Sequence, residues 1–394
     1  MTQQRVVVGM SGGVDSAVSA ALLKEQGYDV IGVTLNLSPK VNEADAWERD
    51  DSCCGLSASE DARRVADRIG IPHYVLNFRD VFAEKVIANF LDEYRRGRTP
   101  NPCIRCNDHI KFGTVLLKAR ALDAELVATG HYARVETDPE TGRRVLRRAV
   151  DLRKDQSYVL YVLTQEELRR TLFPLGGLTK QETRELARKL RLPVAEKPES
   201  QDICFVNERN YGDFLKKLAP DIAQPGPIVD LDGRVLGEHR GIAFYTIGQR
   251  RGLGVVSADP LYVIDVDAAS RTVVVGPEAA LYDHELIADE ANFVQVGAIP
   301  EPLPVKARVR YRMVDAEATV QQIGLDQIKV RFAEPQRAIT PGQAVVCYAD
   351  DLVVAGGTIT STSRTRRVDG LFEPRAQVAS AVNPAGMVRP TILR

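Results

Sequence analysis

The stretch Val6-Val7-Val8-Gly9-Met10-Ser11-Gly12-Gly13-Val14-Asp15-Ser16 decides the fold. Three consecutive valines read as a short buried strand. Ser11-Gly12-Gly13-Val14-Asp15-Ser16 follows as a turn, and residues 17–26 read as a helix that Gly27 stops. Glycines at the end of a first strand let the backbone approach a phosphate. The helix behind them offers unbonded N–H groups and the positive end of its dipole. The serine hydroxyls add donors. The string is not a Walker A loop, because the Gly-Lys-Ser/Thr ending is missing. A plain turn with a serine cap is the blander reading, and the length of the string at the end of the first strand disfavours it.

Strand and helix signals alternate outward from this loop. Val30-Ile31-Gly32-Val33-Thr34-Leu35 is a second strand and residues 58–69 a helix. His73-Tyr74-Val75-Leu76-Asn77-Phe78 is a third strand, and residues 81–96 form a helix stopped by Gly97. Residues 107–121 read as another helix and Leu126-Val127-Ala128-Thr129 as a further strand. This alternation predicts α/β architecture, a doubly wound, mostly parallel sheet with helices on both faces. Thr179-Lys180-Gln181-Glu182 opens a helix with a capping box, ending near Pro193. After about residue 208 the helix signals thin, and Gly and Pro punctuate short β-type runs. Gly226-Pro227-Ile228-Val229 and Asp232-Gly233 are strand and turn. Residues 305–312 alternate strictly, with Lys306, Arg308, Arg310 and Arg312 on one face, and Ile328-Lys329-Val330-Arg331-Phe332 repeats the pattern. The expected divisions are a nucleotide-type α/β domain over 1–208, a small mostly-β domain over 209–286, an antiparallel β-barrel over 287–362 and a loosely held tail over 363–394.

The 394 residues suit two or three domains. With 44% hydrophobic and 27% charged residues, a disordered or collagen-like chain is excluded. No uncharged apolar run approaches the roughly 20 residues that span a bilayer, and the first residues carry no signal-peptide pattern. The expectation is a cytoplasmic protein, monomeric by default. The net charge of −1 means that any phosphate-binding surface must come from local clustering. The basic face of residues 306–312 is one such cluster. Six cysteines in a reducing compartment favour metal, redox or nucleophilic thiols over structural disulfides.

Cys103-Ile104-Arg105-Cys106 precedes the 107–121 helix, where the helix end and Arg105 are expected to favour thiolate. Cys204 lies in Gln201-Asp202-Ile203-Cys204-Phe205. Cys53-Cys54 form a vicinal pair in a long insertion, and Cys347 reads as a core residue. A zinc site wants four ligands, and one Cys-x-x-Cys with His109 nearby falls short of it.

The loop resembles the pyrophosphate loop of the N-type ATP pyrophosphatases. That resemblance implies that residues 9–16 (Gly9, Met10, Ser11, Gly12, Gly13, Val14, Asp15 and Ser16) hold ATP for cleavage between its α- and β-phosphates. Further motifs occur in order along nearly the whole chain to about residue 362: Arg98-Thr99-Pro100-Asn101-Pro102, Cys106-Asn107, Ala128-Thr129-Gly130-His131-Tyr132, Lys154-Asp155-Gln156-Ser157-Tyr158, Gln201 to Phe205, Gly248-Gln249-Arg250-Arg251-Gly252-Leu253-Gly254 and Thr340-Pro341-Gly342-Gln343. Together they resemble the bacterial tRNA-specific 2-thiouridylases. The resemblance implies ATP-dependent 2-thiolation of the wobble uridine, position 34, with release of AMP and pyrophosphate. It implies adenosine contacts from Leu35 and Gly130. Asp15 is read as orienting the loop, helping to place Mg²⁺, or serving as a plain helix-start charge. Cys204 would carry a persulfide and Cys106 would be its partner thiol. Asn101, Pro102 and Cys103 would lie against the target base with His131 near it. Lys154, Asp155, Gln156, Arg310, Tyr311 and Gln343 would contact RNA. The implied partners are the glutamate, glutamine and lysine tRNAs, with a sulfur-relay donor or a cysteine desulfurase. One departure stands out: many family members have Asp where this chain has Cys103. Three thiols, Cys103, Cys106 and Cys204, suit a 4Fe-4S cluster with an open iron, as in a cluster-dependent subgroup of the wider superfamily. The persulfide and cluster routes both stay open.

Overall fold

A computed structural model describes residues 3–37, 56–199, 204, 205, 215, 216 and 218–364. Cys53-Cys54, Gln201-Asp202-Ile203 and residues 365–394 lie outside the described residues. Strands β1 (Arg5–Gly9), β2 (Asp29–Asn36), β3 (His73–Asn77) and β4 (Leu126–Ala128) appear where the alternation places them. A hairpin, β5 (Ala133–Thr137) and β6 (Arg144–Arg148), separates them from β7 (Thr171–Leu172). The first sheet runs β3-β2-β1-β4-β7 with every pairing parallel. The strand order therefore reverses between β1 and β4, which opens a crevice beyond their carboxyl ends.

The valine run explains why helices cover both faces. Val6 and Val8 pack with α1 (Val14–Glu25) and α2 (Leu56–Ile69) through Ala17, Val18, Ala62 and Val65. Val7 turns to the other face and joins Phe82, Phe90, Ile110 and Val115. That second layer is two long helical runs. The first joins α3 (Arg79–Phe82), a π-helical stretch (Ala83–Ile87) and α4 (Ala88–Arg95). The second joins α5 (Pro102–Arg105), a π-helical stretch (Cys106–Thr114) and α6 (Val115–Arg120). The second run begins five residues earlier than predicted. Pro102 at the first helical position has no N–H to lose, and the Asn101 side chain accepts from Ile104 N. Both cysteines of the Cys-x-x-Cys thus ride on the helix. After α7 (Gln165–Arg169), α8 (Lys180–Lys189) starts at the predicted capping box of Thr179 and Glu182.

A four-stranded sheet follows, built from β8 (Gly226–Val229), β9 (Val235–His239), β10 (Tyr262–Asp267) and β11 (Thr272–Gly276) in the order β10-β11-β8-β9. The last six strands are β12 (Tyr282–Phe293), β13 (Leu303–Arg308), β14 (Ala316–Gln322), β15 (Ile328–Arg337), β16 (Ala344–Ala349) and β17 (Leu352–Thr362). They pair antiparallel as β12-β15-β14-β13-β16-β17, and β17 pairs back to β12, which closes a barrel. Val305, Ala307 and Val309 fill its interior with Val320, Val330 and Cys347. The predicted strand over 305–312 ends at Arg308, and a turn follows. The β5–β6 hairpin extends the barrel's sheet, with Leu352 beside Arg147. Asp351 binds Arg134 at 2.5 Å and Arg147 at 2.6 Å across that seam.

Among the described residues no helix is long and apolar enough to cross a membrane. The stretch expected to be loose from 363 begins with an anchored residue. Arg364, 2% exposed, places its guanidinium 2.9 Å from the fully buried Asp283 carboxylate and donates to the carbonyls of Leu281 and Ile339. Removing one partner of a buried ion pair strands the other charge. Arg364→Met should therefore destabilise the fold by about 3–5 kcal/mol, measured by chemical denaturation; a loss under about 1 kcal/mol would mean the anchor is dispensable.

Candidate active site

The loop after β1 sits at the strand-order reversal. Gly12 has φ of +66°, and a Cβ there would lie 2.3 Å from the carbonyl oxygen of Ala58 in α2. Only glycine supports both the left-handed backbone and that approach. Ser16 Oγ lies 3.1 Å from Ser11 N, from which it accepts, and donates to Gly13 O, closing the loop on the first turn of α1. Gly130, just past β4, comes so close that a Cβ would lie 2.7 Å from Ser16 N. Thr34 Oγ1 donates to Met10 O at 2.7 Å and fixes the loop's entry. Leu35 is partly buried against the aromatic face of the sheet.

A row of charges crosses the loop. Both oxygens of Asp15 are held by Lys180 Nζ, at 2.6 and 2.8 Å. Lys180 also lies 3.1 Å from Glu199, which binds Lys154 at 2.5 Å. Partial burial works against the Glu199 carboxylate, yet hydrogen bonds from Lys154 and Lys180 hold its proton affinity below the ordinary range. Lys197 Nζ donates to Gly12 O at 3.1 Å and to Asp61 at 2.6 Å. Tyr132 OH donates to Asp15 Oδ1 at 2.9 Å. Neither Lys180 nor Lys197 was predicted as a site residue. Lys180 looks in sequence like the ordinary first residue of a capped helix, and no local signal betrays either one.

The thiols occupy different surroundings. Cys106, 8% exposed, packs into the apolar cluster that contains Phe82, Phe90 and Phe205, and Cys204 packs against the same cluster. Phe205 meets Phe82 and Phe90 edge-to-face at 5.5 and 5.3 Å. Cys103 is exposed. Arg105, expected to favour thiolate, is committed instead to an ion pair with Glu290 of β12. Among the described residues no group of three or more His, Cys, Asp or Glu side chains is placed to hold a metal ion, Cys103, Cys106 and Cys204 included.

Residues expected near RNA divide sharply. Asp155 is 4% exposed and accepts from Ala149 N, Ser157 N and Ser157 Oγ; burial raises its proton affinity. Gln156 accepts from Tyr132 N, and Gln343 donates to the carbonyls of Thr99 and Pro100. Arg310 donates to Ile247 O, Ala338 O and Thr340 Oγ1, and Arg308 pairs with Asp315 at 2.7 Å. The expected basic face is therefore half spent inside the fold. Tyr311 and Arg312 stay exposed. His131 is buried between Phe112 and Phe173 with Thr129 Oγ1 2.7 Å from its Nδ1. Burial, reinforced by Lys111, keeps it neutral.

A phosphate-type loop at a switch point, two thiols in one apolar cluster and an attached barrel define an ATP-pyrophosphatase-type enzyme with a β-barrel appendage. Family models match the chain as a tRNA methyl transferase HUP domain over residues 4–208, a tRNA methyl transferase PRC-barrel domain over 212–277 and an aminomethyltransferase β-barrel domain over 264–359. The chain is 51% identical over 356 residues to the tRNA-specific 2-thiouridylase MnmA of Clostridioides difficile, covering 90% of this chain and 98% of that one. Similar relatives are MnmA 1 of Thermoanaerobacter sp. (54%, 90% and 97% covered) and MnmA of Heliobacterium modesticaldum (55%, 91% and 92% covered). The chain belongs to the tRNA-specific 2-thiouridylase family.

Burial pushes the Cys347 thiol up to about 12. At pH 8 only roughly one molecule in ten thousand would then hold a thiolate there. Iodoacetamide at pH 8 should modify Cys103 within minutes and leave Cys347 untouched until the chain is unfolded. Mass spectrometry of the peptides reads the order, and early labelling of Cys347 would contradict its burial.

Proposed function

We propose that this enzyme 2-thiolates uridine 34 of tRNA, using ATP with Mg²⁺ and releasing AMP and pyrophosphate. The observation that carries the reading is the gathering of Cys106 and Cys204 in one apolar cluster, in a domain whose phosphate-type loop lies at the switch point. Paired thiols serve sulfur transfer and have no evident part in methyl transfer. Residues 9–16 and Gly130 hold the nucleotide. Mg²⁺ neutralises phosphate oxygens when ATP is bound, and Asp15 is the carboxylate nearest to serve it. The uracil O2 attacks the α-phosphorus and pyrophosphate leaves, so the oxygen can depart from C2 as part of AMP.

Cys204 bears the outer sulfur as a persulfide. Either that sulfur attacks C2 and Cys106 then displaces it from Cys204, or Cys106 first attacks Cys204 and releases hydrosulfide beside C2. Each route ends with a Cys106–Cys204 disulfide that a reductant must reopen. The persulfide route is favoured over the 4Fe-4S route because Cys103 faces outward while the other two thiols share a cluster. Asn101, Pro102 and Cys103 border the target base, with neutral His131 behind it. A wobble base in a single-stranded loop can be splayed into such a site without breaking a pair. Lys154, Tyr311 and Arg312 face the RNA, while Asp155, Gln156, Arg310 and Gln343 shape the surface from within. The glutamate, glutamine and lysine tRNAs are the acceptors, a sulfur-relay protein or cysteine desulfurase supplies sulfur, and the cytoplasm is the setting.

Cys106→Ser and Cys204→Ser should each abolish thiolation while pyrophosphate release in the presence of tRNA continues. Iron and acid-labile sulfide, measured on the same anaerobically purified protein, should be substoichiometric in fully active samples. Activity that follows cluster content would restore the iron route. For RNA binding, Arg312→Ala should weaken tRNA affinity and lower the salt slope by roughly 0.7–1. Arg308→Ala should mainly cost stability, because its partner Asp315 is inside the fold. Equal salt slopes in Arg312→Ala and wild type would remove Arg312 from the interface.

A further inference from the structure

The nucleotide loop, residues 9–16, contains one carboxylate and no cation of its own. Two lysines from distant sequence lie over it. Lys180, the first residue of α8, has a side chain only 12% exposed and both contacts on carboxylates, Asp15 and Glu199. Lys197 touches the loop itself through Gly12 O and is balanced by Asp61, which also has Arg64 at 3.3 Å. With Lys154 and Arg64, four cations face three carboxylates among the described residues. Each of these cations is thus spent on a carboxylate at rest, which makes the crevice a poor host for a polyphosphate unless its cations change partners. An ammonium on a four-carbon stem does this readily, since it is a point charge with three rotatable donors. Asp61 retains Arg64 when Lys197 leaves, and Glu199 retains Lys154 when Lys180 leaves. The departure of Lys180 also uncovers the Asp15 carboxylate for a cation.

We infer that Lys180 and Lys197 are phosphate-contacting residues of the nucleotide site, each held on a carboxylate at rest and transferred to the β- and γ-phosphates when ATP binds. They supply from outside the loop the positive charge that a Walker A lysine supplies from within. The inference rests on residues 9–16 being the ATP site.

Calorimetry on the full-length chain with Mg²⁺-ATP, Mg²⁺-pyrophosphate and adenosine tests it. Lys180→Met and Lys197→Met should each weaken ATP and pyrophosphate at least tenfold and leave adenosine within twofold. Unchanged ATP affinity in either variant removes that lysine from the site. Equal losses for ATP and adenosine would assign it a purely structural role and overturn the inference. Since Lys180→Met leaves Asp15 beside Glu199, a second measurement uses the wild type alone. Acylation of Lys180 and Lys197 by an amine reagent, read by mass spectrometry, should slow with ATP and with pyrophosphate but not with adenosine. Labelling indifferent to pyrophosphate overturns the inference, whereas wild-type protein that binds neither ATP nor pyrophosphate overturns the nucleotide reading beneath it.

Discussion

The seam between the cysteine-bearing helix and the barrel is the constraint on which the site depends. Gln343 donates to the carbonyls of Thr99 and Pro100, Thr99 N donates to Pro341 O, and Arg105 pairs with Glu290. Behind these polar ties, Ile104 and Phe112 share one apolar cluster with Leu146 of the hairpin and Val346, Tyr348 and Val353 of the barrel. The segment that carries Asn101, Cys103 and Cys106 is therefore shaped as much by residues 340–353 as by its own sheet. Loops hold precise geometry only when packing and hydrogen bonds over-determine them. Here a second domain supplies that support.

The features readable in the sequence are the local ones. The valine run, the glycine turn and the capping box at Thr179 each depend on residues within a few positions, so their chemistry survives in the sequence. What escaped reading depends on long-range partners. Residues 133–148 pair with β17 more than 200 positions away, so the boundary drawn at 208 hides that the hairpin also serves the barrel. Alternation puts Val305, Ala307, Val309 and Tyr311 on one face; the first three are in the barrel core, while Tyr311, beyond the strand's end, is exposed. It could not reveal that Arg308 and Arg310 spend their donors on Asp315, Ala338 and Thr340 instead of on solvent. Arg105 was misjudged for the same reason: its partner lies on a bulged strand 185 residues later.

The thiols follow the same pattern. Spacing marked Cys103 and Cys106 as one motif, and only the resemblance paired Cys106 with Cys204 and gave the pair a role. Cys103, the second residue of the helical run, is exposed, while Cys106, one turn further on, is buried in the apolar cluster.

The proposed reaction calls for two different environments. Adenylation needs a polar crevice, with charges that can move onto phosphates. Sulfur delivery needs an enclosure that keeps a reactive sulfur and an activated uridine from water. Sheet topology provides both from one layer. The helix start at the switch point faces the polar crevice, and the opposite face of the same strands supports Phe82, Phe90 and Phe205 around the thiols. The two environments are close in the chain: Glu199, held by Lys154 and Lys180 on the polar side, lies five residues before Cys204.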